Sequence, residues 1–404
     1  MEKVYVVSAK RTPIGAFGGS LKNVSVGDLA AVAIKSALQD GNVAPGLIDE
    51  VIVGNVIGAG QGMSVGRQAA IYAGIPETTP AYSINMVCGS GMKTVMDAVS
   101  HIRSGDGDII VAAGVEVMSQ IPFIVPAQVR DGHKMGNMAL TDLLINDGLT
   151  DVFNHYHMGV TAENVVKEVG LTREQQDHYA LESQKKAVAA IEAGKFVAEI
   201  APVEVKQRRE IVMFDTDEYP KDNATLEGLQ KLRPAFDKEG SVTAGNASGI
   251  NDGASAVILA SESAVQKHNL RPIAEIVSYA QAGIDPKIMG LGPVPAVTKA
   301  LSKADISAKQ IDVFELNEAF AGQALGVIHQ LADEHGLAVT EILDKANKNG
   351  GAIALGHPLG ASGNRILVTL IHELNRSSGQ YGVASLCVGG GMGTAVIVKS
   401  IEWN

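Results

Sequence analysis

The chain contains a copy of itself. Ala33, Ala37, Leu38, Ile48 and Asp49 recur as Ala296, Ala300, Leu301, Ile311 and Asp312, all at one displacement of 263 residues, across a helix, a loop and the strand that follows. Five matches in a single register mark an internal duplication rather than coincidence. Downstream, Ser90-Gly91 corresponds to Ser362-Gly363 once a short insertion in the second copy is allowed, which sets a loop holding His357 opposite a loop holding Cys88. Two copies packed as pseudo-symmetric halves bring those loops to a shared seam, and open α/β sheets place their sites at strand ends.

Strand-like runs at Val4–Ser8, Val51–Val56 and Ile109–Ala113 alternate with helical spacing at Val26–Gln39, Ser64–Ala73 and Met92–Ile102. That alternation predicts a largely parallel sheet covered by helices. Proline and glycine make loops of Arg11-Thr12-Pro13-Ile14-Gly15 and Gly58-Ala59-Gly60. The rhythm fails between about 120 and 248, where Pro122, Pro126, Asp131-Gly132-His133 and Asn137 mark irregular chain before Thr172-Arg173-Glu174-Gln175 opens a helix with a capping box. Val257–Ala260 resumes a buried strand, and the alternation returns from Ile273. The expected organisation is an N-terminal α/β half over 1–119 completed by 249–271, a loop domain over 120–248, and a C-terminal half over 272–404.

At 404 residues, 46% hydrophobic and 19% charged, the chain buries more than one core and has no disordered tract. No apolar run approaches the ~20 residues of a membrane span. Met1-Glu2-Lys3 leads directly into Val4-Tyr5-Val6-Val7, without the apolar core of a signal peptide. Two cysteines make a disulfide framework implausible and fit a reducing cytosol, so a cytoplasmic location is expected. A net charge of −11 argues against nucleic acid and anionic membrane as partners. An anionic small molecule needs only a local cationic patch, and Lys206-Gln207-Arg208-Arg209 with Lys221, Lys231 and Arg233 makes the loop domain the candidate for holding a phosphorylated ligand. The ordinary alternative is a solvated face.

Cys88 sits where Ser83-Ile84-Asn85-Met86-Val87 turns through Cys88-Gly89-Ser90-Gly91 into a helix. Unpaired N–H groups and the helix dipole favour an anion there, so its thiol is expected to fall from about 8.5 towards neutrality. A buried, inert cysteine is the plain alternative. Three more segments carry usable polar groups: Asn317-Glu318-Ala319-Phe320, Gly356-His357-Pro358-Leu359-Gly360 and Cys387-Val388-Gly389-Gly390-Gly391. Each has a structural reading: Asn317 as cap of a helix beginning at Glu318, His357 as a turn histidine, Cys387 as a core thiol.

Together these blocks, with Ala244-Gly245-Asn246-Ala247-Ser248-Gly249-Ile250-Asn251-Asp252-Gly253-Ala254 and Gly350 to Gly363, resemble the signature blocks of the thiolase family, in that family's order and over essentially the whole chain. The resemblance implies an α/β thiolase-like fold: two duplicated mixed-sheet halves in a layered αβαβα arrangement with an inserted loop domain. Asn154-His155-Tyr156-His157-Met158-Gly159 resembles the loop of biosynthetic acetoacetyl-CoA thiolases, which act on short acyl chains. The implied activity is reversible Claisen condensation of two acetyl-CoA to acetoacetyl-CoA and CoA, by a ping-pong route. Coenzyme A thioesters are then substrates, and no cofactor or metal is implied.

Residue by residue, the resemblance implies that Cys88 is the acylated nucleophile, that His357 takes its proton and polarises a thioester oxygen, and that Cys387 abstracts the methyl proton. Asn317 would hold a water that shares the first oxyanion hole with His357, and the N–H groups of Cys88 and Gly389 would form the second. Coenzyme A contacts map onto Ser248, His157, Ala244 and Ala319, while Met158, Phe236 and Phe320 bound the acyl pocket. Lys221 falls where relatives carry a nucleotide-contacting arginine, keeping the charge and losing the planar fork. Pro122 to Leu149 resembles the loop through which tetrameric relatives associate, so a homotetramer is implied. The rival readings are a degradative 3-ketoacyl-CoA thiolase of broader chain length and, from another class, a noncatalytic acyl-CoA or lipid-binding protein of the same fold. Two activated thiols converging on one pocket also suggest an oxidative disulfide switch.

Overall fold

In the computed structural model, which describes residues 2–401, the two repeats join edge to edge through their first strands. The main sheet comprises Val4–Arg11 (β1), Glu50–Gly54 (β2), Ala81–Ile84 (β3), Ile109–Val117 (β4), Asn251–Ser261 (β5), Ala274–Gly283 (β6), Val313–Leu316 (β7), Tyr381–Val388 (β8) and Met392–Ser400 (β9). Its order is β7-β8-β9-β6-β1-β5-β4-β2-β3, with the short strand Gly15–Ala16 added to β5. At the junction Tyr5 faces Glu275 and Val6 faces Ala274. The duplication extends to a defect: β1 is bulged between Val6 and Ser8, and β6 between Ile276 and Ser278.

The sheet is mixed, which corrects the expectation of a largely parallel one. Only β2 with β3, β2 with β4, and β7 with β8 run parallel. The returning strand β5 is antiparallel to both neighbours and buried along its whole length. A strand covered on both faces loses the alternation that ordinarily marks antiparallel pairing. Two boundaries also move. Arg11 belongs to β1 because its guanidinium is fully buried between Glu199 (Nε to Oε1, 2.5 Å) and Asp217 (Nη1 to Oδ1, 2.7 Å). β2 stops at Gly54 because, after the Asn55 N–H pairs with Ile84 O, the Val56 and Ile57 N–H groups turn to the carboxylate of Glu116, joined there by the Asn55 side-chain amide.

Helices Val26–Asp40 (α1), Ser90–Ser104 (α2), Pro293–Ala304 (α5), Ala321–His335 (α6) and Leu359–Ser377 (α7) cover the sheet, while Met158–Val169 (α3) and Arg173–Glu192 (α4) pack outside it against α6. α1 shows how the sequence fixes one. Ser25 caps it by accepting from the Asp28 N–H, and Val26, Leu29, Ala30, Ala33, Ile34 and Ala37 form the buried stripe. α1 covers the outer face of the first half and α5 with α6 that of the second. Between them, α2 and α7 share one core with strands of both halves, including Val95, Val99, Ile366, Leu370, Leu259 and Val398. The layers therefore run helix, sheet, helix, sheet, helix.

α2 and α7 cross backbone against backbone at their first turns. A Cβ on Gly91 would lie 2.7 Å from Gly360 O, and one on Gly363 would lie 2.6 Å from Met92 N. Gly363→Ala is therefore expected to cost about 1–3 kcal/mol or more through overpacking of rigid backbone. A lowered Tm in thermal unfolding checks this.

From 120 to 248 the chain leaves the sheet and folds into α3, α4 and short hairpins. The capping box at Thr172 closes in both directions with Gln175. Asp217, which accepts from the Ile14 N–H at 2.8 Å as well as from Arg11, ties this segment back to β1. Among the described residues no helix is long and apolar enough to cross a membrane.

Candidate active site

β3 ends at Ile84, and α2 begins at Ser90 with Gly89 as its N-cap. Between them Val87 takes φ 47°, a left-handed conformation that a β-branched residue adopts only when its surroundings impose it. The surroundings are specific. Ser90 Oγ accepts from Met86 N–H (2.8 Å) and donates to Val87 O (2.6 Å), while Asn85 Oδ1 accepts from Val87 N–H (2.8 Å). The product of this turn is the position of Cys88, buried at 8% exposure. Burial pushes its thiol up to about 11, against N–H donors from Gly389 and from Cys88 itself, with the Glu116 charge adding to the rise. The expected fall towards neutrality is thus corrected: Cys88 precedes the first helical residue by two positions and lies out of water, and desolvation outweighs the donors.

The second serine of the repeat does the matching task for His357. His357 Nδ1 lies 2.5 Å from Ser362 Oγ, and that hydroxyl donates its one proton to Pro358 O at 2.9 Å. Nδ1 must then carry the ring hydrogen, leaving Nε2 with its lone pair. Burial, with a contribution from Arg365, pushes the imidazole down to about 4, so it is held neutral. The loop is pinned by His357 N–H donating to Asn251 Oδ1 (3.1 Å). Asn317 Nδ2 stands 3.5 Å from His357 Nε2, and Asn317 Oδ1 is buried with no hydrogen-bond partner.

Asn317 does not cap a helix at Glu318; α6 begins at Ala321. Glu318 is instead held by Ser183 Oγ (2.7 Å), Asn347 Nδ2 (2.8 Å) and Ile353 N–H (3.2 Å), which keeps 317–320 extended out of the helix. On β8, Cys387 is fully buried, and burial with the neighbouring Cys88 charge drives its thiol far above the ordinary range. The two cysteine loops interleave: a Cβ on Gly89 would lie 2.9 Å from Val388 Cγ2, and one on Gly389 would lie 3.4 Å from Val87 Cγ1 and 3.7 Å from Met158 Sδ.

Cys387 opens onto an apolar cluster of Met158, Ala247, Met289, Ala319, Phe320 and Phe236. His157 stacks on Phe236 with centroids 4.5 Å apart, and Phe236 meets Phe320 edge-on at 6.1 Å. His157 Nδ1 accepts from Gly159 N–H at 3.0 Å, so its Nε2 carries a hydrogen free to donate. Ser248 is half-buried and donates its N–H to Ala319 O (2.9 Å). Ala244 and Lys221 are exposed, the Lys221 ammonium lying 5.8 Å over the Tyr219 ring. The structure thus gathers Cys88, Gly389, Cys387, Met158, Phe236, Ala319 and Phe320, and pairs His357 with Asn317. A separate cavity of about 710 Å³ between α4 and α6 has Glu318 in its wall and none of the thiols.

Ser90, Ser362, Asn251 and Glu116 also shape the site, and sequence reasoning missed their roles. The repeat had already aligned Ser90 with Ser362. Glu116 was visible as a lone carboxylate in an otherwise apolar strand.

A duplicated, five-layered α/β protein with two neighbouring buried thiols, and a neutral imidazole paired with an asparagine on the second repeat, defines a narrow class. The chain belongs to the thiolase family: the model of the thiolase N-terminal domain matches residues 4–263, and that of the C-terminal domain residues 270–400. It is 53% identical over 400 residues to the acetyl-CoA acetyltransferase of Cupriavidus necator, covering 99% of this chain and 100% of the relative. The structure of acetyl-CoA acetyltransferase from Syntrophomonas wolfei is similar with TM-score 0.96 and 40% identity, over 99% of this chain and 100% of that one. Human mitochondrial 3-ketoacyl-CoA thiolase in complex with CoA matches with TM-score 0.93 and 47% identity, over 99% and 98% of the two chains.

Proposed function

We propose that this chain is an acetyl-CoA C-acetyltransferase, interconverting two acetyl-CoA with acetoacetyl-CoA and CoA through an acetyl-Cys88 intermediate. The observation that carries the reading is the Cys88 thiol under the Gly389 and Cys88 N–H groups, against the Cys387 cluster. In cleavage, Cys88 sulfur attacks the ketone carbon of acetoacetyl-CoA while His357 Nε2 takes the thiol proton. The bond between the second and third acyl carbons breaks, and Cys387 delivers a proton to the departing enolate. Coenzyme A thiol then removes the acetyl group from Cys88. Both thiols and the imidazole rest neutral, so proton transfer accompanies attack instead of preceding it. The high pKa of Cys387 suits a group that exchanges a proton with carbon. Each N–H donor to a developing oxyanion contributes on the order of 10²-fold in rate, and Asn317 supports the other oxygen beside His357. No metal or cofactor enters the scheme.

His157 Nε2–H, Ser248, Ala244, Ala319 and Lys221 are assigned to coenzyme A, and Met158, Phe236 and Phe320 to the acyl pocket. A broader 3-ketoacyl-CoA thiolase is the second reading, favoured by the 47% identity to the human enzyme of that name. A chain-length series decides between them. With Met158, Phe236 and Phe320 packed around Cys387, kcat/KM is expected to fall at least about tenfold from acetoacetyl-CoA to 3-ketooctanoyl-CoA, a loss of 1.4 kcal/mol or more in transition-state binding. Equal or rising values along the series assign the broader activity. Homotetrameric assembly is supported by the exposed Phe123, Met135 and Leu140 in 122–149. A cytoplasmic location is supported by two free cysteines with no disulfide.

A further inference from the structure

Glu116 lies fully buried on β4, and neither the acyl-transfer scheme nor any substrate contact uses it. Its carboxylate is saturated. Oε1 accepts from Asn55 Nδ2 (3.1 Å) and Ile57 N–H (3.1 Å), and Oε2 from Val56 N–H (2.9 Å) and Gly360 N–H (3.0 Å). Three of those donors belong to the first repeat. The fourth, Gly360, follows His357 by three residues in the second. On the other side of Val56, its carbonyl accepts from Asn85 Nδ2 (3.0 Å), and Asn85 Oδ1 holds the left-handed Val87 (2.8 Å) next to the nucleophile. A continuous run of hydrogen bonds therefore leads from the Cys88 turn through Asn85, Val56 and Glu116 to the His357 loop.

We propose that Glu116 is the positioning residue that sets the spacing between Cys88 and His357, acting across the seam through Asn85 and Val56 on one side and Gly360 on the other. This rests on the acyl-transfer reading above. An anion is needed because all four donors converge on two oxygens, and only a carboxylate accepts four without presenting a hydrogen of its own. A glutamine amide turns two N–H groups against two of the donors and must release either the 55–57 loop or Gly360. The position is costly. Burial, with Asp252 nearby, pushes the Glu116 carboxyl up to about 7 against its backbone donors, and its charge helps raise the Cys88 thiol. A charge kept where it opposes ionisation of the nucleophile serves geometry, not acidity.

The test is a double-mutant cycle on steady-state cleavage of acetoacetyl-CoA by CoA, with folding followed by circular dichroism. Glu116→Gln is expected to lower kcat on the order of 10²-fold, as displacements of about 1 Å between reacting groups do, with KM for acetoacetyl-CoA unchanged. Asn85 is exposed, so Asn85→Ala cuts the run without opening a core cavity. It is expected to lower kcat about five- to tenfold, the value of one hydrogen bond, again at constant KM. The double variant is expected within about twofold of Glu116→Gln alone, because coupled residues do not add. Wild-type kcat in folded Glu116→Gln, a rise in KM accounting for the loss, or multiplied effects in the double variant each overturn the proposal. If Glu116→Gln does not fold, Asn85→Ala decides alone: reduced kcat at constant KM supports the relay, unchanged kcat removes it. A wild-type chain that does not cleave acetoacetyl-CoA overturns the functional reading instead.

Discussion

Cys88→Ala is expected to release no acetyl-CoA from acetoacetyl-CoA and CoA. The variant keeps the turn, since Val87 is held by Asn85 and Ser90 and not by the cysteine side chain. Binding of the thioester should therefore survive while the covalent route disappears. In the proposed mechanism Cys88 splits one displacement into two, and nothing within the turn replaces the sulfur. The expected loss is at least about 10⁴-fold, the scale on which removing a nucleophile acts in acyl-transfer enzymes. Mass spectrometry after incubation with acetyl-CoA should find one acetyl group on the wild-type chain and none on the variant. Turnover of the variant near the wild-type rate refutes the assignment.

Cys387→Ala is expected to separate the two half-reactions of the proposed mechanism. In that mechanism acetylation of Cys88 by acetyl-CoA draws on His357 and the Gly389 N–H, and this substitution replaces neither. The acetyl-enzyme should therefore form while condensation to acetoacetyl-CoA falls about 10²- to 10⁴-fold, the range for loss of a positioned acid–base group. Removing a fully buried sulfur from the Met158–Phe320 cluster leaves only a small cavity, so folding should persist. Failure of the acetyl-enzyme to form shows that the roles are not divided in this way.

Much of this site could be read from residue order, because glycine-rich turns and isolated polar groups at strand ends survive as local patterns. Cys88, Asn317, His357 and Cys387 stood out for that reason. The duplication gave the relation between halves, and with it the pairing of Ser90 and Ser362. Three things were not legible. The direction of β5 was hidden because a strand buried on both faces carries no periodicity. The proton affinity of Cys88 was misread, since the helix end is local while desolvation is set by the opposite repeat. Glu116 went unused because its partners, Asn55 to Ile57 and Gly360, lie far apart in sequence, and convergence on one carboxylate is a tertiary event.

The middle layer has a consequence for the independence of the two repeats. α2 belongs to one repeat and α7 to the other, yet both close the same interior, and their first turns touch through bare backbone. A single repeat on its own would present that layer to solvent as a wide oily surface. Neither repeat can therefore be separated from the other without uncovering that surface, so the two are bound to one another as the halves of an obligate dimer are.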